Sequence, residues 1–562
     1  MLEAKALKVL RNGLLVLAAL TTLWMAPYSS LDPVSLPKMS VLVFLSVLSS
    51  GVWLPRISQF IQGKFRVIIT LALTFISLLI LIVCFSGAGI WLQIYGTYGR
   101  NTGALTYFAL TLLLLSTAFA TDAQFLKRFM LVFLTIGILL VCYGQIQNQG
   151  WDPFPFQNLY GSNVFGTLGN PNFMSAFMGM TGVVAFGLSF NRSLQIWIRL
   201  GLVILSLVTL VIVFETNSVQ GFLNFAAGFT STVIIWLFMK HKTKLGYLLT
   251  CIAGVGGGLV FLGIINIGPL ANYLYKSSLQ ARGFYRRAGL NMLLDHPLLG
   301  VGMDGYGEWY RRSRTLEDTL LSPGLTADTA HNVFLDIASN GGFPLIFAYL
   351  CILTLVIISI VKVIKRSGEF NPFFTASVGA WVAYQAQSFI SINAIGLAIW
   401  GWIFSGLIIG YEVNTRKQSD VSGKSEGIEH KKITVQKSMV LSSGTIVSIF
   451  VSTLIAGALA LPPYIAANKF YNALKSGNAL ELQPAAYIKP YDHMRFTFVA
   501  SNLAQNNLND GALVVIRDAL KLFPNSYQSW SILAGLPNAT PAEVTQAKAE
   551  MKRLDPHNPE LK

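Results

Sequence analysis

The chain has 562 residues, of which 53% are hydrophobic and 12% charged. That is too little polar surface to wrap a soluble globule of this size, so a soluble enzyme or solvated scaffold is excluded. The net charge of +16 raises nucleic acid as a partner. In a membrane protein, however, Lys and Arg gather in cytoplasmic loops, and their positions here follow that pattern, so no nucleic-acid partner is expected.

Apolar runs of about 20 residues, long enough to cross a bilayer, recur along the chain. They predict spans at 9–28, 38–54, 66–86, 104–120, 129–148, 172–190, 196–214, 218–239, 246–266, 343–361, 373–390, 395–412 and 440–461. The expected fold is an all-α polytopic membrane protein with about 13 transmembrane helices. The first run follows Lys5, Lys8 and Arg11, as a secretory signal would. No small-x-small cleavage site follows the MAPYSS turn, so it reads as a retained helix. Cys84, Cys142, Cys251 and Cys351 fall in or beside apolar runs with no CxxC pair. They are expected to be core side chains and are silent about the redox compartment.

Basic residues occupy alternate loops: Arg56, Lys64 and Arg66; Lys127 and Arg128; Arg192 and Arg199; Lys240, Lys242 and Lys244; Lys362, Lys365 and Arg366; and the linker 413–438. The alternation predicts a cytoplasmic N-terminus and an extracytoplasmic C-terminus. It divides the chain into a transmembrane unit (1–412), a basic cytoplasmic linker (413–438), a last span (439–463) and a helical extracytoplasmic tail (464–562).

One long outer loop, about 267–331, breaks the rule by carrying Lys276, Arg282, Arg286, Arg287, Arg311, Arg312 and Arg314. Asp295, Asp304, Glu308, Glu317, Asp318 and Asp328 accompany them, so a solvated charged loop is one reading of Arg311 to Arg314. Arg282 and Arg286 are spaced i, i+4 on a candidate amphipathic helix, about 277–294, with Phe284, Leu290, Leu293 and Leu294 as its apolar face. Pro297 closes that helix. Two guanidinium forks on one face suit an anion such as a diphosphate. The following GVGMDGYG, 300–307, is no nucleotide loop, since no strand precedes it. Its glycines, Gly302 among them, permit a tight turn or a close approach.

The loop closes with TADTAHNVFLDIASNGGFPL, 326–345, in which His331 opens an apolar helical stretch that also holds Asp336 and is broken by Gly341, Gly342 and Pro344. Breaks at membrane depth are tolerated where they line a cavity or are buried in protein. Capping or packing accounts for an isolated histidine. Beside an arginine-bound diphosphate, the imidazole instead suits a general base for a hydroxyl acceptor. No outer loop has Asp-x-Asp and no His/Cys/Asp cluster has metal-ligand spacing. Metal-independent glycosyl transfer without a cofactor is therefore expected.

These segments resemble the O-antigen ligase and O-antigen polymerase superfamily, which includes bacterial protein O-oligosaccharyltransferases. The matching residues are Arg282 followed by NMLLDHPLLGVGMDGYG, then AHNVFLDIASNGGFPL, with GTLGNPNFMSAFM at 166–178 upstream. The resemblance spans about residues 70–412. It implies a multi-pass protein of the bacterial cytoplasmic membrane. Its donor would be a glycan on undecaprenyl diphosphate, and its acceptor a glycan, lipid or protein hydroxyl. Carried over by position, Arg282 corresponds to the diphosphate-binding arginine, His331 to the proposed base and Asn332 to an orienting group. The family's Ser-Arg-Gly-like element has its nearest counterpart in TNSVQGFL, 216–223, where Gln220 stands in place of arginine. Arg286 or Arg287 would then supply the missing cation. In GNPN, Asn170 and Pro171 read as a helix cap and first helical residue, or Asn172 and its neighbours as a donor-sugar contact.

The tail resembles tetratricopeptide-type helical hairpins, with Thr540 and Glu543 forming a capping box. Such hairpins bind a protein partner or act as a cap. A ligase, a repeat-unit polymerase and a protein O-oligosaccharyltransferase share all these features. A lipid-linked glycan transporter would also bind diphosphate through arginines, though it ordinarily needs ionisable groups inside the bilayer.

Overall fold

The computed structural model describes residues 2–154, 164–274, 277–366, 369–422 and 441–561. Lys276, part of the aromatic segment before GNPN, and the expected linker from residue 423 onward lie outside the described residues. Every predicted span overlaps a helix, the first being displaced to Ala4–Leu23, and no strand occurs among the described residues. Among those residues, 11 helices are long and apolar enough to cross a membrane. The two other predicted spans are enclosed by protein. Ala104–Ala120 is only 17 residues long and buried at every position but Phe108. Pro372–Ile390 is more polar, but its polar groups find partners inside the bundle. Trp381 Nε1 donates to Ser405 Oγ at 2.9 Å, and Tyr384 Oη donates to Asn393 Oδ1 at 3.1 Å. A helix shielded from lipid can carry such groups because neighbouring helices satisfy them.

Pro171–Ser189 packs against Ile196–Glu215, Gln220–Met239 and Pro372–Ile390 at the centre of one half of the bundle. In the other half, Ala104–Ala120 lies between Ile395–Ser422 and Ser35–Trp53, and the last long helix, Ser443–Ser476, runs along Ser35–Trp53. Asn170 caps its helix by accepting from Asn172 N at 2.8 Å, with Pro171 in the first turn, as the sequence predicts. The cysteines depart from expectation. Cys84, Cys142 and Cys251 are exposed and Cys351 is half-buried. They lie on outward faces of apolar helices, where lipid replaces protein as the apolar neighbour.

Contacts between distant segments define two ends. At one, Glu3 pairs with Arg56, Arg11 with Asp122 at 2.5 Å, and Glu412 with Arg366 and Arg416 at 3.3 and 2.5 Å. At the other, Ser35 Oγ donates to Gly99 O at 2.8 Å, Asn332 Nδ2 to Phe389 O at 3.0 Å, and Asn468 Nδ2 to Ser29 O at 3.0 Å. The tail sits at this second end. There His493–Gln505 packs on Asn509–Leu522, and Tyr527–Gly535 on Pro541–Leu554, around their own apolar core. Thr540 and Glu543 form the expected reciprocal capping box.

Val333–Arg366 is continuous apart from a break at Gly342, where φ is +71°. A Cβ there would lie 2.6 Å from the Leu298 carbonyl carbon. With no side chain, the backbone can approach closely enough for Phe343 N to donate to Pro297 O at 2.8 Å. The predicted interruption thus anchors the loop after the arginine helix.

Candidate active site

The arginine helix is Ser277–Asp295, and it ends just before Pro297. Its expected apolar face is only half correct: Phe284 and Leu293 are buried, whereas Leu290 and Leu294 are 47% and 60% exposed. Ala288 and Met292 complete the buried side, packing with Val301, Tyr306, Tyr310 and Ala330. The helix therefore docks on protein through a narrower stripe than hydrophobicity alone suggested. Tyr306 Oη donates to Tyr285 O at 2.5 Å and ties the following short helix, Tyr306–Ser313, to it.

The three arginines meet different fates. Arg287 is half exposed and forms a two-pronged pair with Asp318, at 3.0 and 2.5 Å. It is committed to the loop's own structure, which is a correction to its expected place on the donor. Arg282 makes no ion pair among the described residues. Its Nη1 donates to the carbonyl of Ile390 at 3.0 Å. With the Gln220 amide oxygen turned toward the guanidinium, Gln220 accepts from Nη1 and Nη2 at 3.2 and 3.0 Å and donates to Gln387 Oε1 at 3.1 Å. Arg286 also has no ion pair among the described residues, and its Nε and Nη2 are buried without a hydrogen-bond partner. Burial, reinforced by the neighbouring Arg286 charge, lowers Arg282 to about 10; burial likewise lowers Arg286. Arg282 is thus held by neutral groups, and Arg286 one turn further on has donors left over.

His331 has φ +51°, an uncommon conformation for a side-chain-bearing residue. Its Nδ1 lies 3.1 Å from Thr329 Oγ1 and 3.4 Å from Thr329 O. When Nδ1 carries the proton and donates to Thr329, Nε2 holds the free lone pair. The ring stacks at a tilt on Tyr285, 4.9 Å between centroids, and Tyr285 stands one turn from Arg282. Burial, followed by the charges of Arg282 and Arg100, lowers His331 to about 4. The imidazole is neutral at neutral pH and able to accept a proton.

Asn332 straps rather than orients: its Nδ2 donates to Phe389 O at 3.0 Å, and its Oδ1 accepts from Leu335 N at 3.0 Å, capping the next helix. Asp336 Oδ1 accepts from Ala330 N at 2.6 Å, which holds the backbone just before His331. Asn172 joins the site indirectly, accepting from Ser218 Oγ at 2.7 Å two residues before Gln220. Gly302 is a close-approach position facing protein, since a Cβ would come within 2.6 Å of Ala88 Cβ. The adjacent Asp304 accepts from Thr97 N at 2.6 Å and Thr102 Oγ1 at 3.0 Å, and burial raises it to about 6.

Arg311 to Arg314 are not a solvated patch. Arg311 and Arg314 both grip Asp555 of the tail, at 3.0 Å and at 2.9 and 3.1 Å. Arg312 lies 3.6 Å over the Trp309 ring.

Three contributors were not anticipated. Arg100 forms a two-pronged pair with Asp328, at 2.9 and 3.1 Å, beside His331. Gln387 bridges Gln220 and Asn224, accepting from Asn224 Nδ2 at 3.2 Å. Tyr285 connects the arginine helix to His331. Arg100 had a readable signal, being the one charged residue in the predicted outer loop 87–103. Gln387 had none, because a glutamine in an apolar helix carries no mark of its partner.

Fold and site together define a multi-pass, all-α membrane protein with a cationic site at one end of its bundle. Residues 202–350 match the model of the family described as O-Antigen ligase, which supports the resemblance to that superfamily over this part of the chain. The matched region holds Gln220, Arg282, Arg286, His331 and the Gly342 break, whereas Arg100, Asn172 and the tail lie outside it. No curated protein matches the chain.

Proposed function

We propose that this protein transfers a preassembled glycan from a polyprenyl diphosphate to a hydroxyl acceptor, on the face of the cytoplasmic membrane away from the cytoplasm. The observation that carries this reading is the pair Arg282 and Arg286, half-buried and without carboxylate partners among the described residues, beside a neutral His331. A buried cation without a counter-ion is costly, and a diphosphate offers oxygens on both sides of its bridge to two guanidinium forks.

In this reading Arg282 and Arg286 hold the diphosphate. Nε2 of His331 takes the acceptor proton as the hydroxyl oxygen attacks the anomeric carbon. The glycosyl bond to the diphosphate breaks, and the guanidiniums stabilise the charge on the leaving group. Gln220, standing where the family has arginine, gives Arg282 a neutral acceptor and avoids a second buried cation against it. Asn172 and Gly302 support the site at one remove, through Ser218 and through the segment around Ala88. The basic end of the bundle faces the cytoplasm by the positive-inside rule, which puts the tail outside. Ligase, polymerase and protein O-glycosylation chemistry share these steps.

The test is transfer of a labelled glycan from polyprenyl diphosphate by purified protein, with a membrane extract as acceptor and chelator present. Chelator-resistant transfer lost in both His331→Ala and Arg282→Ala is expected; loss of a general base typically costs about 10²–10⁴-fold. Full activity in His331→Ala sinks the base assignment. Donor binding without transfer to any acceptor turns the reading to transport.

A further inference from the structure

A cleft of about 620 Å³ lies at the junction of the tail with the bundle, with His331 outside its lining. That volume falls within the roughly 300–1,000 Å³ of small-ligand sites. One wall is the segment Trp91 to Asn101 and the edge of the arginine-rich loop; the other is tail, with Tyr491, Asn525, Tyr527 and Gln528. Trp91 stacks on Tyr95, 6.4 Å between centroids, and meets Tyr491 of the tail edge-on at 6.0 Å. These rings are only partly buried.

The chemistry selects among ligands. Aromatic rings supply flat apolar faces with little entropy to lose, and amide side chains supply paired donors and acceptors at the rim. A pyranose ring has the complementary form, an apolar C–H face bordered by hydroxyls. A phosphate or lipid headgroup fits poorly, because Arg311 is already paired with Asp555, Arg495 donates to the carbonyls of Ala485, Ile488 and Pro490, and Glu308 and Asp492 also line the wall. An extended peptide recognised by β-addition would need a free strand edge, and none occurs among the described residues.

The loop Gly96 to Thr102 links this cavity to the active site. Gly96, Thr97, Tyr98 and Asn101 line the large cavity, while Gly99, Arg100 and Thr102 line a small polar cavity that also contains Thr329 and Asp336. An occupant of the cleft would sit one loop's thickness from the small cavity lined by Thr329, the hydrogen-bond partner of His331.

We propose that the cleft between tail and bundle is a saccharide-binding site, holding sugar units remote from the reacting bond. This rests on the glycosyl-transfer reading. It assigns the tail a direct part in substrate binding.

The experiment uses the full chain in detergent and measures KM separately for the lipid-linked donor and for a purified acceptor glycan, in wild type, Trp91→Ala, Trp91→Phe and Gln528→Ala. The expected result is a KM raised about tenfold for one substrate in Trp91→Ala and Gln528→Ala, with kcat within about twofold and Trp91→Phe near wild type. Which KM moves identifies donor or acceptor as the occupant. An active wild type with both constants unchanged in the variants overturns the cleft and leaves glycosyl transfer standing. If wild type does not transfer, that reading fails, and equilibrium binding of a labelled, lipid-free oligosaccharide decides the cleft. Binding lost in Trp91→Ala upholds it; no binding, or binding indifferent to Trp91, overturns it.

Discussion

Asp555→Ala should loosen the tail from the arginine-rich loop. The Asp555 side chain is 0% exposed and its partner Arg314 1%. Asp555 receives two hydrogen bonds from Arg314 and one from Arg311. After the substitution, Arg314 keeps the carbonyls of Ser322, Pro323 and Leu325, at 3.1, 3.2 and 3.3 Å, and the Tyr310 ring at 5.6 Å, but no carboxylate among the described residues. Removing one partner of a buried ion pair costs about 3–5 kcal/mol, because the remaining charge stays buried without compensation. At 1.4 kcal/mol per factor of ten, the tail should open roughly a hundredfold to several thousandfold more often. Hydrogen exchange of Pro541–Leu554 and Leu316–Leu321 in the detergent-solubilised chain reads this directly. The double substitution Asp555→Leu with Arg314→Met should recover most of the loss, since an apolar pair removes both charges from the interior. Arg311, 20% exposed, can then turn to water. Unchanged protection in Asp555→Ala would refute the reasoning, and so would a double variant no better protected than the single one.

Two further outcomes follow from the site. His331 is lowered to about 4, so its base form is present above that pH and is lost as pH falls through it. The kcat/KM of the free enzyme should be level from about pH 5 upward and fall near pH 4, as bound diphosphate charge moves the kcat limb higher. Arg282→Gln removes one of the depressing charges, a lesser cause than burial, and the His331 imidazole, titrated by NMR in that variant, should shift toward the ordinary 6.5; a wild-type kcat/KM limb at 6 to 7 would contradict the assignment. Gln220→Arg sets a second cation where a neutral oxygen now meets Arg282. The unliganded protein should lose about 1–3 kcal/mol, the usual cost of an unsatisfied buried polar group, and added pyrophosphate should restore it. An unaltered melting temperature without pyrophosphate would show that Gln220 does not hold Arg282.

Much of the architecture was legible because hydrophobic run length and cap chemistry are local. The thirteen apolar runs became helices, Asn170 with Pro171 and Thr540 with Glu543 started theirs as read, and the Gly342 interruption was placed correctly. Arg282, Arg286 and His331 were singled out by charge on an unexpected side and by motif resemblance, and the fold brings them around Tyr285. What escaped was the choice of partner. Arg287 went to Asp318, Arg100 to Asp328, and Arg314 to Asp555, 241 positions away. Leu290 and Leu294 stayed outside while Ala288 and Met292 went in, and the cysteines turned outward. A sequence states that an arginine needs an anion or that a helix has an apolar side. Which anion it finds, and whether lipid or protein covers that side, is decided only when helices distant along the chain pack together, because those energies depend on distance in space.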